Sequence, residues 1–220
     1  MMDELAKAVQ KKYIEDITKK YPLHRFLIVF ILLLSAHVYS KNDGSRILAA
    51  IQDIKLSFVF DFKKGLISSV TFEHLFICIL TTWVIAFIYN LYSSKTFNLL
   101  SKASDFSGFI SKIEDKVKSQ KSEQEMLNYF LSKDISKQLE ELRAKIKSDH
   151  VKSELALAII FCLMYGVNNF IYWDWLFVTG LLIFILANTW NSFRYYISDF
   201  LPYYVTEQSL LGGSVSFGDK

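Results

Sequence analysis

Apolar positions along the chain gather in four runs, and charged positions gather between those runs. The first run extends from Leu23 to Tyr39, and the others are Leu75–Tyr92, Leu155–Trp173 and Trp175–Phe193. The last three runs contain no charged residue. A helix needs about 20 residues to cross the roughly 30 Å of hydrocarbon in a bilayer. Because backbone amides find no water there, a spanning run must be helical. The pattern therefore predicts four transmembrane helices.

The prediction for the whole chain is an all-α membrane protein with a cytoplasmic antiparallel helical hairpin between its second and third spans. A signal peptide would also place basic residues before the first apolar run, but the mixed charge of residues 1–22 disfavours cleavage. The predicted segments are, in order, a cytoplasmic amphipathic N-terminal helix over 1–22, transmembrane helix 1 over 23–40, an extracytoplasmic loop over 41–72, transmembrane helix 2 over 73–93, the hairpin over 94–153, transmembrane helix 3 over 154–173, transmembrane helix 4 over 174–197 and a cytoplasmic tail over 198–220.

Basic residues are distributed unevenly among the predicted loops. Twelve Lys and Arg residues lie from Lys95 to Lys152, whereas the loop over 41–72 has five and the turn at 172–175 has none. Cytoplasmic loops of membrane proteins carry an excess of Lys and Arg. The distribution therefore predicts a membrane protein with both termini and the hairpin in the cytoplasm.

The predicted hairpin has the heptad spacing typical of paired helices. Apolar residues recur every three or four positions from Leu99 to Val117 and again from Leu131 to Ile146, with a turn expected at Ser119–Ser122. Both helices are expected to continue into the adjacent spans, since the hairpin contains no proline. Two narrow seams bury little apolar area, which favours packing against a second copy or another protein. The residues expected to make these contacts are Leu99, Phe106, Ile110, Ile113, Leu139, Glu140, Glu141 and Leu142.

The extracytoplasmic loop contains two different patterns. Apolar residues near 45–53 fit one face of a short amphipathic helix. Alternating apolar residues from Ile54 to Phe62 predict a strand or an interfacial segment, followed by a turn at Lys63–Gly65. The aromatic residues of this loop are expected to face lipid headgroups, another subunit or an extracellular ligand.

Few groups in the sequence are suited to catalysis. The four histidines lack the spacing of metal ligands, and both cysteines fall inside predicted spans. The segment Gly213–Lys220 has only a distant likeness to a phosphate-binding loop, because an Asp separates its last Gly from the Lys. We therefore predict that the protein is not an enzyme and holds no cofactor or metal. The net charge of +3 and the mixed-sign hairpin faces give no reason to expect direct nucleic-acid binding.

The polar residues within the predicted spans are mostly uncharged amides and hydroxyls. Charged residues are absent from the centres of the spans, which disfavours proton-coupled transport and is compatible with a pore. Asn188 is predicted to line such a pore or to contribute to helix assembly. His37 lies near the outer end of the first run and is a candidate pH sensor.

In its size, its four spans and its cytoplasmic segment over 94–153, the chain resembles the membrane subunits of bacterial anti-phage defence systems such as Kiwa. The resemblance is one of architecture and assigns no site residue. It implies an inner-membrane protein that detects phage attack and works with a separate cytoplasmic effector. We therefore expect a non-enzymatic, homo-oligomeric sensor or scaffold that contacts membrane lipids and recruits a soluble cytoplasmic protein. The alternatives are a pore-forming effector that depolarises the membrane and an immunity protein against a pore-forming toxin.

Overall fold

The described part of the chain is almost entirely helical. A computed structural model describes residues 11, 13, 23–41, 47–52, 54–103, 108, 112–113 and 125–210, and no strand occurs among them. This confirms the all-α prediction. The elements are α1 (Leu23–Lys41), α2 (Ile47–Gln52), α3 (Leu56–Phe60), α4 (Leu66–Ser69), α5 (Phe72–Ala103), α6 (Glu125–Met164), a 3₁₀ turn (Val167–Asn169), α7 (Tyr172–Tyr195), a π-helical turn (Tyr196–Phe200) and α8 (Leu201–Leu210).

Three helical stretches are long and apolar enough to cross a membrane, namely Leu23–Ser40, Phe72–Ser101 and Tyr172–Glu207. They include the first, second and fourth predicted spans. Both helices expected to continue from the spans into the hairpin do so, because α5 reaches Ala103 and α6 is unbroken from Glu125. The helical stretches that include the second and fourth predicted spans extend beyond the ends that hydropathy alone assigned to those spans.

The third apolar run does not form the single helix expected over 154–173. Helix α6 ends at Met164, and its apolar part from Leu155 is only about 15 Å long at 1.5 Å per residue. The chain turns at Gly166, whose N–H donates to the carbonyl of Leu163 at 3.0 Å. The next helix then starts under a side-chain cap, since the N–H of Ile171 donates to the buried Asp174 carboxylate at 2.9 Å.

The strand considered for Ile54–Phe62 is also wrong, because Leu56–Phe60 is one helical turn, α3. A single strand would leave its backbone groups without a ladder partner, whereas a helical turn pairs some of them locally. The predicted turn at 63–65 is present. The Asp61 carboxylate accepts hydrogen bonds from the backbone N–H groups of Lys63 and Lys64, at 2.8 and 3.1 Å. The helix expected near 45–53 is α2.

Gly65 is required by the close approach of the backbone in this turn. A Cβ atom at residue 65 would overlap the carbonyl oxygens of Phe58 and Asp61, which are backbone atoms and cannot rotate away. We expect Gly65→Ala to destabilise the turn by about 1–3 kcal/mol, the usual range for overpacking. Limited trypsin digestion of the purified protein measures this, since cleavage after Lys63 and Lys64 should become faster.

The matched control for this test is Ser57→Ala, a small change at an exposed position of the same segment. Its digestion rate should equal that of the wild type. A Gly65→Ala variant that is cleaved no faster than this control would contradict the proposed role of the glycine.

By residue packing, the chain divides into two compact units. The first, here called the span unit, comprises Tyr21–Tyr89 and Val151–Ala187. Its core brings α1, α5 and α6 together through the buried residues Ile28, Leu32, Cys78, Ile85, Ala158 and Cys162. Both cysteines are free thiols within this core, where they act as small apolar side chains.

The second unit, here called the aromatic unit, comprises Met1–Lys20, Asn90–His150 and Asn188–Lys220. Its core is rich in stacked and edge-on rings, which favour such offset arrangements over face-to-face contact. The residues buried in it are Tyr13, Phe97, Leu139, Ile146, Phe193, Tyr196, Phe200, Leu201, Tyr204 and Val205.

The described part of the predicted tail over 198–220 belongs to this core. Phe200, Leu201 and Val205 are completely buried, and α8 continues to Leu210. The helices predicted to form the hairpin therefore do not pack only against each other. The chain after α7 contributes half of the buried residues of the core. Three segments discussed from the sequence lie outside the described residues: the turn at Ser119–Ser122, the segment Gly213–Lys220 and, except for Lys11 and Tyr13, the N-terminal helix.

Candidate functional site

The predicted contact residues on α6 separate into two faces. Leu139 is completely buried in the aromatic core, and Leu142 packs against that core while half-buried. Glu140 and Glu141 are exposed. This division follows from helical geometry, because residues three apart share a face and their immediate neighbours turn away from it. The leucines are therefore internal packing residues, and the glutamates are the members of this group that a partner can reach.

The contact residues on the first hairpin helix fit the prediction less well. Leu99 is 69% exposed, whereas Phe97 is buried and Leu100 packs against the core. The buried seam is therefore displaced from the one predicted, because the heptad count started from the wrong residue of a continuous helix. Ile113 packs against the aromatic core as a half-buried residue. Phe106 and Ile110 lie outside the described residues.

An exposed apolar surface near the start of α6 was missed by the sequence analysis. Tyr129 and Phe130 are 60% and 57% exposed, and Leu131, assigned to the seam, is 45% exposed. The helix instead buries Asn128 and Ser132, both under 6% exposed. The apolar surface made by Tyr129, Phe130 and Leu131 is here called the YFL surface. The sequence could have indicated this surface, because three consecutive large apolar residues cannot all be buried by one narrow heptad seam.

Two basic side chains of α6 lie on aromatic rings at the end of α7 and just after it. The guanidinium carbon of Arg143 is 5.5 Å from the centre of the Phe200 ring, and Lys145 Nζ is 3.9 Å from that of Tyr195. Such cation–π contacts are attractive and strengthen as water is excluded. They connect α6 to the last residue of α7 and to the π-helical turn that follows it. Part of the basic charge expected on the hairpin surface is therefore used in packing within the chain.

Asn188 has a structural contact that fits the assembly role predicted for it. Its side-chain amide donates to the backbone oxygen of Asp149, and the residue is half-buried in the aromatic unit. Interhelical amide hydrogen bonds of this kind join helices in membrane proteins. The contact links α7 to α6 within the chain. This contact does not support the alternative prediction that Asn188 lines a pore.

A buried pair of ionisable residues in the span unit was also missed. His24 Nε2 lies 2.9 Å from Glu154 Oε2, and the two side chains are 15% and 3% exposed. Glu154 immediately precedes the third apolar run, so it lies outside the charge-free centres of the predicted spans. Ionisable groups in membrane-spanning regions are costly to bury and usually serve a function or pair with each other. This pair joins α1 to α6.

The predicted sensor residue His37 lies in a small polar pocket of the span unit. Its Nδ1 is 3.2 Å from Ser69 Oγ on α4, and its ring centre is 4.9 Å from that of Phe58 on α3. His74 lines the same pocket, and its Nδ1 is 2.7 Å from Thr71 Oγ1. His37 therefore connects α1 to the segment between the first two spans, where a change of its charge would alter these contacts.

Within the described residues, no group of three or more His, Cys, Asp or Glu side chains is arranged to hold a metal ion. No protein-family model, curated protein or solved structure matches the chain. The function must therefore be inferred from the surfaces described above.

Proposed function

We propose that the protein is a non-enzymatic, multi-pass sensor or scaffold subunit of the bacterial inner membrane that recruits a soluble cytoplasmic effector through residues 94–153. Following the architectural resemblance, the pathway is an anti-phage defence system. Both termini and the aromatic unit lie in the cytoplasm, as the distribution of basic residues favours. Both termini can lie on one side of the membrane only if the chain crosses it an even number of times, so this proposal also places the third apolar run across the membrane as a fourth span.

The observation that best supports this proposal is that three helices have residues in both units. Helices α5, α6 and α7 each contribute residues to the span unit and to the aromatic unit. A signal received by the span unit therefore has three continuous helices along which it can reach the aromatic unit. Bistable shifts of packed helices are an established means of transmitting such signals.

The aromatic unit also presents the chemistry of a protein-binding surface. The YFL surface and Leu99 expose large apolar side chains, and Glu140 and Glu141 expose two carboxylates. Aromatic residues dominate the energetics of protein interfaces, while charged residues at the rim select the partner. A soluble effector with an apolar pocket and a basic rim would complement this surface.

The span unit supports the homo-oligomeric part of the proposal. Trp83 and Phe87 stack with ring centres 6.0 Å apart and are 68% and 58% exposed. Stacked aromatic rings on a spanning helix are suited to contact with lipid or with a second copy of the chain. The oligomer would then display several copies of the aromatic unit to its effector and raise the affinity through multivalency.

The decisive variant reverses charge at two exposed positions, Glu140→Lys with Glu141→Lys. We expect loss of effector capture with normal membrane insertion, because both side chains point away from the core. The measurement is the amount of effector co-purified with the tagged protein from detergent-solubilised membranes. The matched control is Glu73→Lys, an exposed charge reversal in the span unit, which should leave capture unchanged. Equal capture by the double variant and the wild type would overturn the proposal.

A further inference from the structure

An apolar groove opens on the span unit beside the segment that joins the first two spans. Its volume is about 360 Å³, within the range of small-molecule sites. Leu66 forms a fully buried part of its wall, while Ile67 and Phe72 are 59% and 83% exposed at its mouth. None of the residues that line it is charged: Phe30, Leu33, Leu66, Ile67, Val70, Thr71, Phe72 and Leu75.

The groove lies against residues of two candidate membrane spans. Phe30 and Leu33 belong to the span Leu23–Ser40, and Phe72 and Leu75 belong to the span that begins at Phe72. Phe30 precedes the end of its span by ten residues, or about 15 Å along the helix axis. The groove thus extends from the end of one span toward the middle of another, a depth at which lipid acyl chains are the surrounding medium.

Two adjacent exposed lysines, Lys63 and Lys64, are close in sequence to the residues that line the groove. Lys64 precedes the groove residue Leu66 by two positions, so their Cα atoms lie within about 7.6 Å of each other. A lysine side chain can extend along an apolar surface and keep its ammonium group in the headgroup region. The nearest acidic side chain in the sequence, Asp61, already accepts hydrogen bonds from two backbone amides. Glu73 is a second acidic residue near the groove in the sequence, and it is exposed beside Phe72.

We propose that this groove binds one acyl chain of an anionic phospholipid, whose phosphate lies against the ammonium groups of Lys63 and Lys64. The groove supplies apolar contact along the acyl chain, and the lysines supply preference for negative charge. Basic residues near a membrane surface each attract anionic lipid by a small but additive amount. The site is independent of the effector surface on the aromatic unit, so either proposal can fail without the other.

The test is native mass spectrometry of the full chain in mild detergent, with phosphatidylglycerol or phosphatidylcholine of identical acyl chains added. We expect about tenfold more bound phosphatidylglycerol than phosphatidylcholine. The double variant Lys63→Gln with Lys64→Gln should lose this preference and bind both lipids at the weaker level. Val70→Trp should fill the groove and reduce the binding of both lipids.

The control variant is Lys55→Gln, which removes another exposed lysine from the same segment. It should keep the preference for phosphatidylglycerol. The proposal is overturned if the wild type binds both lipids equally, if Lys55→Gln loses as much preference as the double variant, or if Val70→Trp binds lipid as the wild type does. Thermal unfolding of each variant checks that it is folded, so that lost binding is not lost structure.

Discussion

Replacement of Phe200 by alanine is expected to lower the free energy of unfolding of the aromatic unit by about 3–5 kcal/mol, the usual cost of emptying a buried phenylalanine site. The ring is completely buried. It stacks on Tyr196 with centres 4.9 Å apart and planes 20° apart, and it also stacks on Tyr204. Arg143 would lose the ring beneath its guanidinium group.

The measurement is thermal or denaturant unfolding in detergent, with Phe130→Ala as the matched control. Phe130 is an aromatic residue of the same unit that is 57% exposed, so its loss should change stability by less than about 0.5 kcal/mol. The two variants separate packing from binding, because Phe130→Ala should weaken effector capture without loss of stability. Equal stability of Phe200→Ala and the wild type would show that the C-terminal segment does not form this core.

Replacement of Glu154 by leucine is expected to destabilise the span unit by about 1–3 kcal/mol, because removal of the carboxylate leaves the His24 ring nitrogen without this hydrogen-bond partner. The His24 side chain is 15% exposed and would face an apolar group in place of a carboxylate oxygen 2.9 Å away. The matched control is Glu73→Leu, which removes an exposed carboxylate from the same unit and should have little effect.

A double-mutant cycle identifies His24 as the partner. Free energies of unfolding are compared for the wild type, His24→Leu, Glu154→Leu and the double variant. Residues in direct contact show coupling energies of about 0.5–3 kcal/mol, and we expect at least about 1 kcal/mol here. Additive single losses would contradict a direct interaction between the two side chains.

The features that the sequence predicted best depend on local periodicity. A charge-free run such as Leu75–Tyr92 has few alternatives to a helix, and α5 covers all of it. The positions of Leu139 and Leu142 on one face of α6, and of Glu140 and Glu141 on the other, follow from the helical repeat alone. These arguments need no knowledge of which elements meet in space.

The features that could not be predicted from the sequence depend on contacts between segments that are distant along the chain. Nothing in the spacing of Phe200 and Tyr204 indicates that they pack with Tyr13 and Phe97, which lie more than 100 residues earlier. The short end of α6 was missed for a different reason. Hydropathy sums the run without penalising Gly166, at which the chain turns.

The error in the hairpin seam has the same origin as the unrecognised YFL surface. A heptad pattern can be placed in more than one register on a long helix, and Leu99 and Leu131 fit the predicted register while remaining exposed. Phe97 contacts the rings of Tyr13, Phe193 and Tyr196, and Leu139 is buried in the same core, so the register depends on segments distant in sequence.

The central claim is that this membrane protein recruits a soluble effector. The most direct test is to identify the proteins that co-purify with it. The tagged chain is solubilised from cells that carry it with its natural neighbouring genes, and mass spectrometry measures the identity and stoichiometry of every bound protein. We predict one soluble protein in a fixed ratio to the chain, lost from the Glu140→Lys and Glu141→Lys double variant and retained by Glu73→Lys. A homo-oligomer with no protein bound would contradict this account and direct attention to conductance across a bilayer.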